Sequence, residues 1–292
     1  MRRAAVALAL AALALCAGIT GSACSGGSGR SEPKPVNGPE DIPVPSDPAA
    51  TAASISRVER ALRDPRTKPA EIDRLGWEQQ DAYRALSAHP RWVDAVVARV
   101  PADVRPIVAA NQRAGHDLEE LGSGTKPRRL PDWHIVPPLP VDVLRSYYGE
   151  AEAATGIPWA YLASIHLVET RLGRIQGTSS AGAQGPMQFI PATWQRYGQG
   201  DINDNHDAIL AAGRFLQANG GPGDMNRALF RYNNSNSYVD AVQSYAQLML
   251  SDERAFLGYH GWQVYYATTD ATFLLAEGYP GKAAQSVSQS GD

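Results

Sequence analysis

The chain has 292 residues, 43% of them hydrophobic, enough for a sizeable core in one large domain or two small ones. Its net charge of −3, which becomes −5 once a leader carrying Arg2 and Arg3 is removed, supplies no basic field for nucleic acid. Both cysteines, Cys16 and Cys24, lie near the start, so the body has neither a disulfide nor a cysteine metal site.

The opening stretch "MRRAAVALALAALALCAGITGSAC" has a basic end, an apolar run from Ala4 to Ala17, then small residues. That is the layout of a secretory signal, and the run is too short for a comfortable membrane span. Ser22, Ala23 and Cys24 resemble a bacterial lipobox, although Gly21 replaces the usual branched residue. The resemblance implies cleavage after residue 23 and lipidation of Cys24, which would anchor the protein to the outer face of the cytoplasmic membrane. Ordinary cleavage after Ala23 would instead give a secreted protein with a free cysteine. Residues 24–50 are rich in Ser, Gly and Pro with little to bury, and read as a disordered tether.

Residues 51–125 read as an N-terminal helical subdomain. Ile72, Leu75, Ala82 and Leu86 form one helical stripe, and Pro90, Pro101 and Gly122 punctuate the region. It has no cluster of catalytic residue types. A proline-rich crossing, "GTKPRRLPDWHIVPPLP", leads into residues 126–280, where helices resume at Val141. "PWAYLASIHLVETRLG" has Pro158 placed for a helix start and Gly173 for its stop. A short helix over "PATWQRYG", a longer one capped by Asp204 or Asn205 and ended at Gly220, and two further helices follow. "WQVYYATTDATFLLAEGY" reads as a single hairpin, and residues 281–292 as a disordered tail. The fold class is mainly α.

Three features invite chemistry. "DINDNHD" at 201–207 has Asp201, Asn203 and Asn205 at alternate positions, like a calcium loop. His206 stands where such a loop needs glycine and Ala212 where it needs glutamate, so a loop turn with a helix cap fits better. His166 reads as a packed helix residue and not as a metal ligand, so no metal site is expected. Glu169 is the third feature. Its helical neighbours Leu162, Ile165, His166 and Leu172 include no Lys or Arg, and an acid is rarely buried without a partner. Downstream, small residues, Gln188, and the run Tyr232-Asn233-Asn234 offer neutral hydrogen-bonding groups. Tyr161, Phe189, Trp194, Tyr197 and Tyr238 offer faces to sugar rings. One acid among neutral donors and aromatics suits a carbohydrate site.

Three motifs in this order resemble the lytic transglycosylases of the lysozyme-like superfamily, those with an SLT-type domain. They are Glu169-Thr170 at a helix end, "GPMQFIP" from Gly185 to Pro191, and "LFRYN" ending in Tyr232 and Asn233. The likeness covers roughly residues 140–250, and Thr170 with "DINDNHDAILAAGRFL" is similar to the membrane-bound type B branch. The resemblance implies a lysozyme-like helical domain that cleaves the β-1,4 bond of peptidoglycan glycan strands and leaves 1,6-anhydro-muramic ends. It also implies Glu169 as sole catalytic acid and base, its carboxyl raised in pKa by apolar neighbours and hydrogen-bonded by Tyr232. Thr170, Met187, Gln188, Phe189, Tyr232 and Asn233 would contact substrate or loop, no cofactor is needed, and other cell-wall enzymes are conceivable partners. A muramidase using Asp201, Asp204 or Asp207, or a catalytically weak glycan-binding lipoprotein, are the alternatives.

Overall fold

The computed structural model describes residues 44–287. The leader, Cys24 and most of the tether lie outside the described residues, as do residues 288–292. Four helices come first: α1 (Pro48–Arg63), α2 (Pro69–Ala88), α3 (Val93–Arg99) and α4 (Arg105–Leu121). The first helix begins inside the stretch read as tether, because Asp47 caps it by accepting from the amides of Ala49 and Ala50, with Pro48 in its first turn. Seven more helices follow: α5 (Val141–Thr155), α6 (Trp159–Thr170), α7 (Pro191–Tyr197), α8 (Asn205–Ala218), α9 (Met225–Tyr232), α10 (Asn236–Ser251) and α11 (Ala255–His260). The mainly helical reading holds.

Side-chain caps start four of the helices, α1 among them. Asp204, Asp224 and Ser235 accept from backbone amides at the starts of α8, α9 and α10. Gly156 closes α5 in the left-handed conformation at φ 73°. The six-residue α11 was not anticipated; it is too short to show a helical period.

Two small antiparallel sheets complete the chain. Strands β1 (His134–Ile135) and β2 (Ile175–Gln176) pair the proline-rich crossing with the segment after α6. The hairpin is present as β3 (Val264–Ala267) and β4 (Thr272–Leu275), and β5 (Gln285–Val287) adds a third strand. Part of the expected disordered tail is therefore ordered, because β5 satisfies backbone groups along the open edge of β4.

The largest core is built around α6, in which every residue from Ala160 to Thr170 is buried. A helix apolar all round belongs at the centre of a bundle, and α5, α8 and α10 surround it. A second core holds Ile55, Ala82, Leu86, Val96, Val104 and Val108 among α1 to α4. Helix α4 serves both, since Ala114 and Leu118 belong to the larger core. Trp133, Ile135, Ile175, Val264, Tyr266 and Leu275 form a third, joining the two sheets.

Helices α2 and α11 meet at glycines. A Cβ on Gly76 would lie 2.5 Å from the Gly258 carbonyl oxygen and 2.9 Å from the Gly261 Cα. Backbone cannot yield there as a flexible side chain would, so Gly76→Ala should destabilise the protein by about 1–3 kcal/mol. Exposed Gly149 within α5 has open space around its Cβ position, and Gly149→Ala should stabilise by up to about 1 kcal/mol. Denaturant melts of both variants check the pair; equal effects would contradict the close approach.

Candidate active site

Glu169 lies in the last turn of α6, and only 3% of its surface is exposed. The Tyr238 hydroxyl donates to Glu169 Oε1 at 2.9 Å. The other oxygen has no hydrogen-bond partner among the described residues, and the carboxyl makes no ion pair there. Burial pushes the Glu169 pKa up to about 8, and the Tyr238 hydrogen bond moderates that rise. This agrees in direction with the effect anticipated from the apolar neighbours.

The donor differs from the expected one. Tyr232 was expected to hold the acid, yet its hydroxyl donates to the Met187 carbonyl at 2.6 Å. Tyr232 and Tyr238 lie parallel, with ring centroids 6.3 Å apart, and both are buried. The second reaches the carboxyl and the first reaches the loop. By sequence Tyr238 offers a face for sugar; its position in the first turn of α10 gives no signal for its partner.

The loop Gly185–Phe189 is fastened to the end of α6 by Thr170 and to α9 by Tyr232. Thr170 Oγ1 donates to the Pro186 carbonyl at 2.6 Å and accepts from the Gly173 amide at 3.1 Å. Tyr232 holds the next carbonyl, that of Met187. Gln188 turns the chain with φ 50°, and its Nε2 donates to the Gly185 carbonyl at 2.9 Å. A non-glycine residue with positive φ persists only when its surroundings enforce it. Gly185 has φ 73°, and a Cβ there would overlap the Ile202 carbonyl oxygen at 1.8 Å, so glycine is required.

The remaining expected contacts divide. Met187 and Phe189 side chains are buried in the large core, so they anchor the loop by packing and do not line an open face. The same correction applies to Tyr161 and Tyr238 as sugar platforms, because α6 and α10 bury them. Trp194 and Tyr197 on α7 remain half-exposed, edge-on to Phe189 and Phe215 respectively. Asn233 is buried, and its Nδ2 has no hydrogen-bond partner among the described residues. That amide is a buried donor left unpaired at the end of α9.

The acids of 201–207 serve the backbone. Asp201 accepts from the Asn203 amide, Asp207 from the Asp201 amide, and Asp204 caps α8. Asp204, His206 and Asp207 place one ligand atom each within 4.8 Å of one another, but His206 is paired with Glu150 at 2.7 Å. His166 is buried against Tyr148, its Nδ1 2.8 Å from the hydroxyl, and burial lowers its pKa to about 3, leaving it neutral.

Part of the chain is similar in sequence to a curated protein. Over 109 residues, 35% of this chain, the sequence is 32% identical to the membrane-bound lytic murein transglycosylase F of Thiobacillus denitrificans. The chain spans about a fifth of that relative's length, 20%. No family model matches the chain, and no solved structure matches it.

The two tyrosines can be separated by titration. Tyr238→Phe removes a hydrogen bond that favours the carboxylate, so the Glu169 midpoint should rise further above about 8. Tyr232→Phe should leave the midpoint near its original value and cost about 1 kcal/mol by stranding the Met187 carbonyl. Carbon-13 NMR of the glutamate carboxyls, with thermal melts, checks both; a shift in the second variant alone would reverse the assignment.

Proposed function

We propose that this protein is a peptidoglycan lytic transglycosylase with Glu169 as its only catalytic acid and base. The observation that carries the reading is a buried carboxyl without an ion pair among the described residues, neutral near pH 7, held by Tyr238 beside a loop clamped to its helix. Partial similarity to a lytic murein transglycosylase supports the same substrate class. Among the described residues, none of the 201–207 acids is hydrogen-bonded to Glu169, and each is engaged by backbone or by another residue. A muramidase would draw on a second carboxylate to activate water or stabilise the sugar cation.

In the proposed reaction, neutral Glu169 gives its proton to the glycosidic oxygen as the bond to the muramyl C1 breaks. The resulting carboxylate then takes the proton of the muramyl 6-hydroxyl, whose oxygen closes on C1. One proton leaves and one returns, so the enzyme is regenerated and no water is consumed. The 6-hydroxyl belongs to the same sugar, which makes it a nucleophile at high effective concentration. Tyr238 keeps the carboxyl in one orientation, Gln188 holds the loop through the Gly185 carbonyl, and half-exposed Trp194 and Tyr197 offer faces to sugar rings. The domain arrangement follows the same reading: a lysozyme-like catalytic unit over residues 126–280, preceded by the helices of residues 51–125. Lipidated Cys24 would hold it at the cell envelope, and among the described residues no helix is long and apolar enough to cross a membrane.

Glu169→Gln keeps the size and hydrogen bonding of the side chain but removes the transferable proton. Turnover of purified cell wall should fall about a hundredfold or more in a folded protein. In the wild type, the rate should decline as pH rises through about 8, where Glu169 loses its proton. Folded Glu169 holds a proton that the unfolded chain releases at its ordinary value near 4.5, so stability falls as pH rises through the window from 4.5 to about 8. Glu169→Gln should lack that fall and melt higher than wild type at pH 9. A folded variant with undiminished turnover would overturn the proposal.

A further inference from the structure

The turn that ends α6 is left-handed at three successive residues, Arg171 (φ 54°), Leu172 (φ 60°) and Gly173 (φ 82°). Two of them are not glycine, so the conformation costs free energy and must be held by its surroundings. Arg171 is buried, and among the described residues it makes no ion pair. Its Nη1 donates to the Leu167 carbonyl at 3.0 Å, and its guanidinium lies 5.5 Å from the centre of the Trp262 ring. Arg174, three residues on, donates to the carbonyl of His260, the last residue of α11, at 3.2 Å, so the two basic side chains contact that helix end and the ring two residues beyond it.

Trp262 is fixed from the other side by α2. Its Nε1 donates to Gln79 Oε1 at 2.9 Å, and Gln79 Nε2 donates to buried Glu59 of α1 at 3.1 Å. Tyr83 also donates to Glu59, at 2.7 Å, and Arg63 pairs with it. The next two residues of α2 continue the seam. Gln80 exchanges hydrogen bonds with the backbone of Gln263, and Asp81 accepts from Tyr265. Tyr259 packs edge-on to Trp262 and donates to Asn111 of α4 at 2.8 Å. The N-terminal helices thus reach, through one indole ring, a cation two residues beyond Glu169.

We infer that Arg171 is a positioning residue for Glu169, and that α1 and α2 act on the site through Gln79 and Trp262. The inference rests on Glu169 being the catalytic acid. It gives the helices of residues 51–125 a part in catalysis although they carry no catalytic residue. Stability alone does not account for the cation, because a buried charge replaced by an apolar chain of similar size is often neutral or stabilising. What the guanidinium provides is direction: it ties the Leu167 carbonyl to the Trp262 face and so fixes the last turn of α6.

The test uses the full chain with Arg171→Met, Arg171→Lys and Gln79→Leu, and with Glu169→Gln alongside. On soluble glycan strands, Arg171→Met and Gln79→Leu should lower kcat about tenfold or more while KM stays within about twofold. Arg171→Lys should recover part of the loss, since it keeps a cation over the ring. By carbon-13 NMR the Glu169 midpoint, set by burial and by the Tyr238 hydrogen bond, with the buried Tyr232 ring the next titratable neighbour, should fall about one unit as the loosened turn admits water. Folded Arg171→Met or Gln79→Leu with unchanged kcat and unchanged midpoint would overturn the inference. Should Arg171→Met fail to fold, Gln79→Leu, which lies outside the turn, decides alone. Turnover retained in Glu169→Gln would sink the catalytic assignment instead, and the midpoints would still decide whether the turn is held from α2.

Discussion

A carboxyl placed in the last turn of a helix buried on all sides is the constraint around which this structure is arranged. Water would hold Glu169 ionised at neutral pH; the interior of the large core does not, and the proton stays. Burying a neutral acid still leaves polar atoms to satisfy, and Tyr238 meets one of them. The neighbouring tyrosine, Thr170 and the Gly185–Phe189 loop then use their own hydrogen bonds to close the same helix end. Each of these groups is buried, so the site is rigid before anything binds.

That rigidity has a second source away from the loop. The left-handed turn after Thr170 is sustained by contacts to α11 and Trp262, and these are in turn fixed by α2. Glycines at positions 76, 258 and 261 let the backbones of α2 and α11 approach closely enough for the Gln79, Gln80 and Asp81 side chains to reach their partners. Packing and polar contacts therefore act together: the close approach brings the hydrogen bonds within reach, and the hydrogen bonds fix its register.

The parts of this arrangement legible in the sequence are the local ones. Buried α6 with a lone acid, the prolines and caps that start helices, and the tight glycine loop all follow from neighbours within a few residues. Long-range pairings were not legible. Tyr232 and Tyr238 are both hydroxyl-bearing aromatics near the third motif, and only the packing of α9 and α10 decides which one meets Glu169. Met187 and Phe189 fall in a motif that the resemblance associates with substrate, yet their apolar side chains are claimed by the core. Arg171 showed no pattern at all, because its partners Leu167 and Trp262 are a backbone carbonyl and a ring 91 residues further along. Strands of two or three residues, such as β1, β2 and β5, are too short for alternation to reveal.

In the proposed reaction one carboxyl performs both proton transfers without water. Digestion of purified peptidoglycan in heavy-oxygen water, followed by mass analysis of the released fragments, addresses it directly. A single acid–base residue yields 1,6-anhydro-muramic ends, lighter by one water than hydrolysed ends and free of the label. Reducing-end fragments carrying heavy oxygen would show that water is the nucleophile and contradict the account.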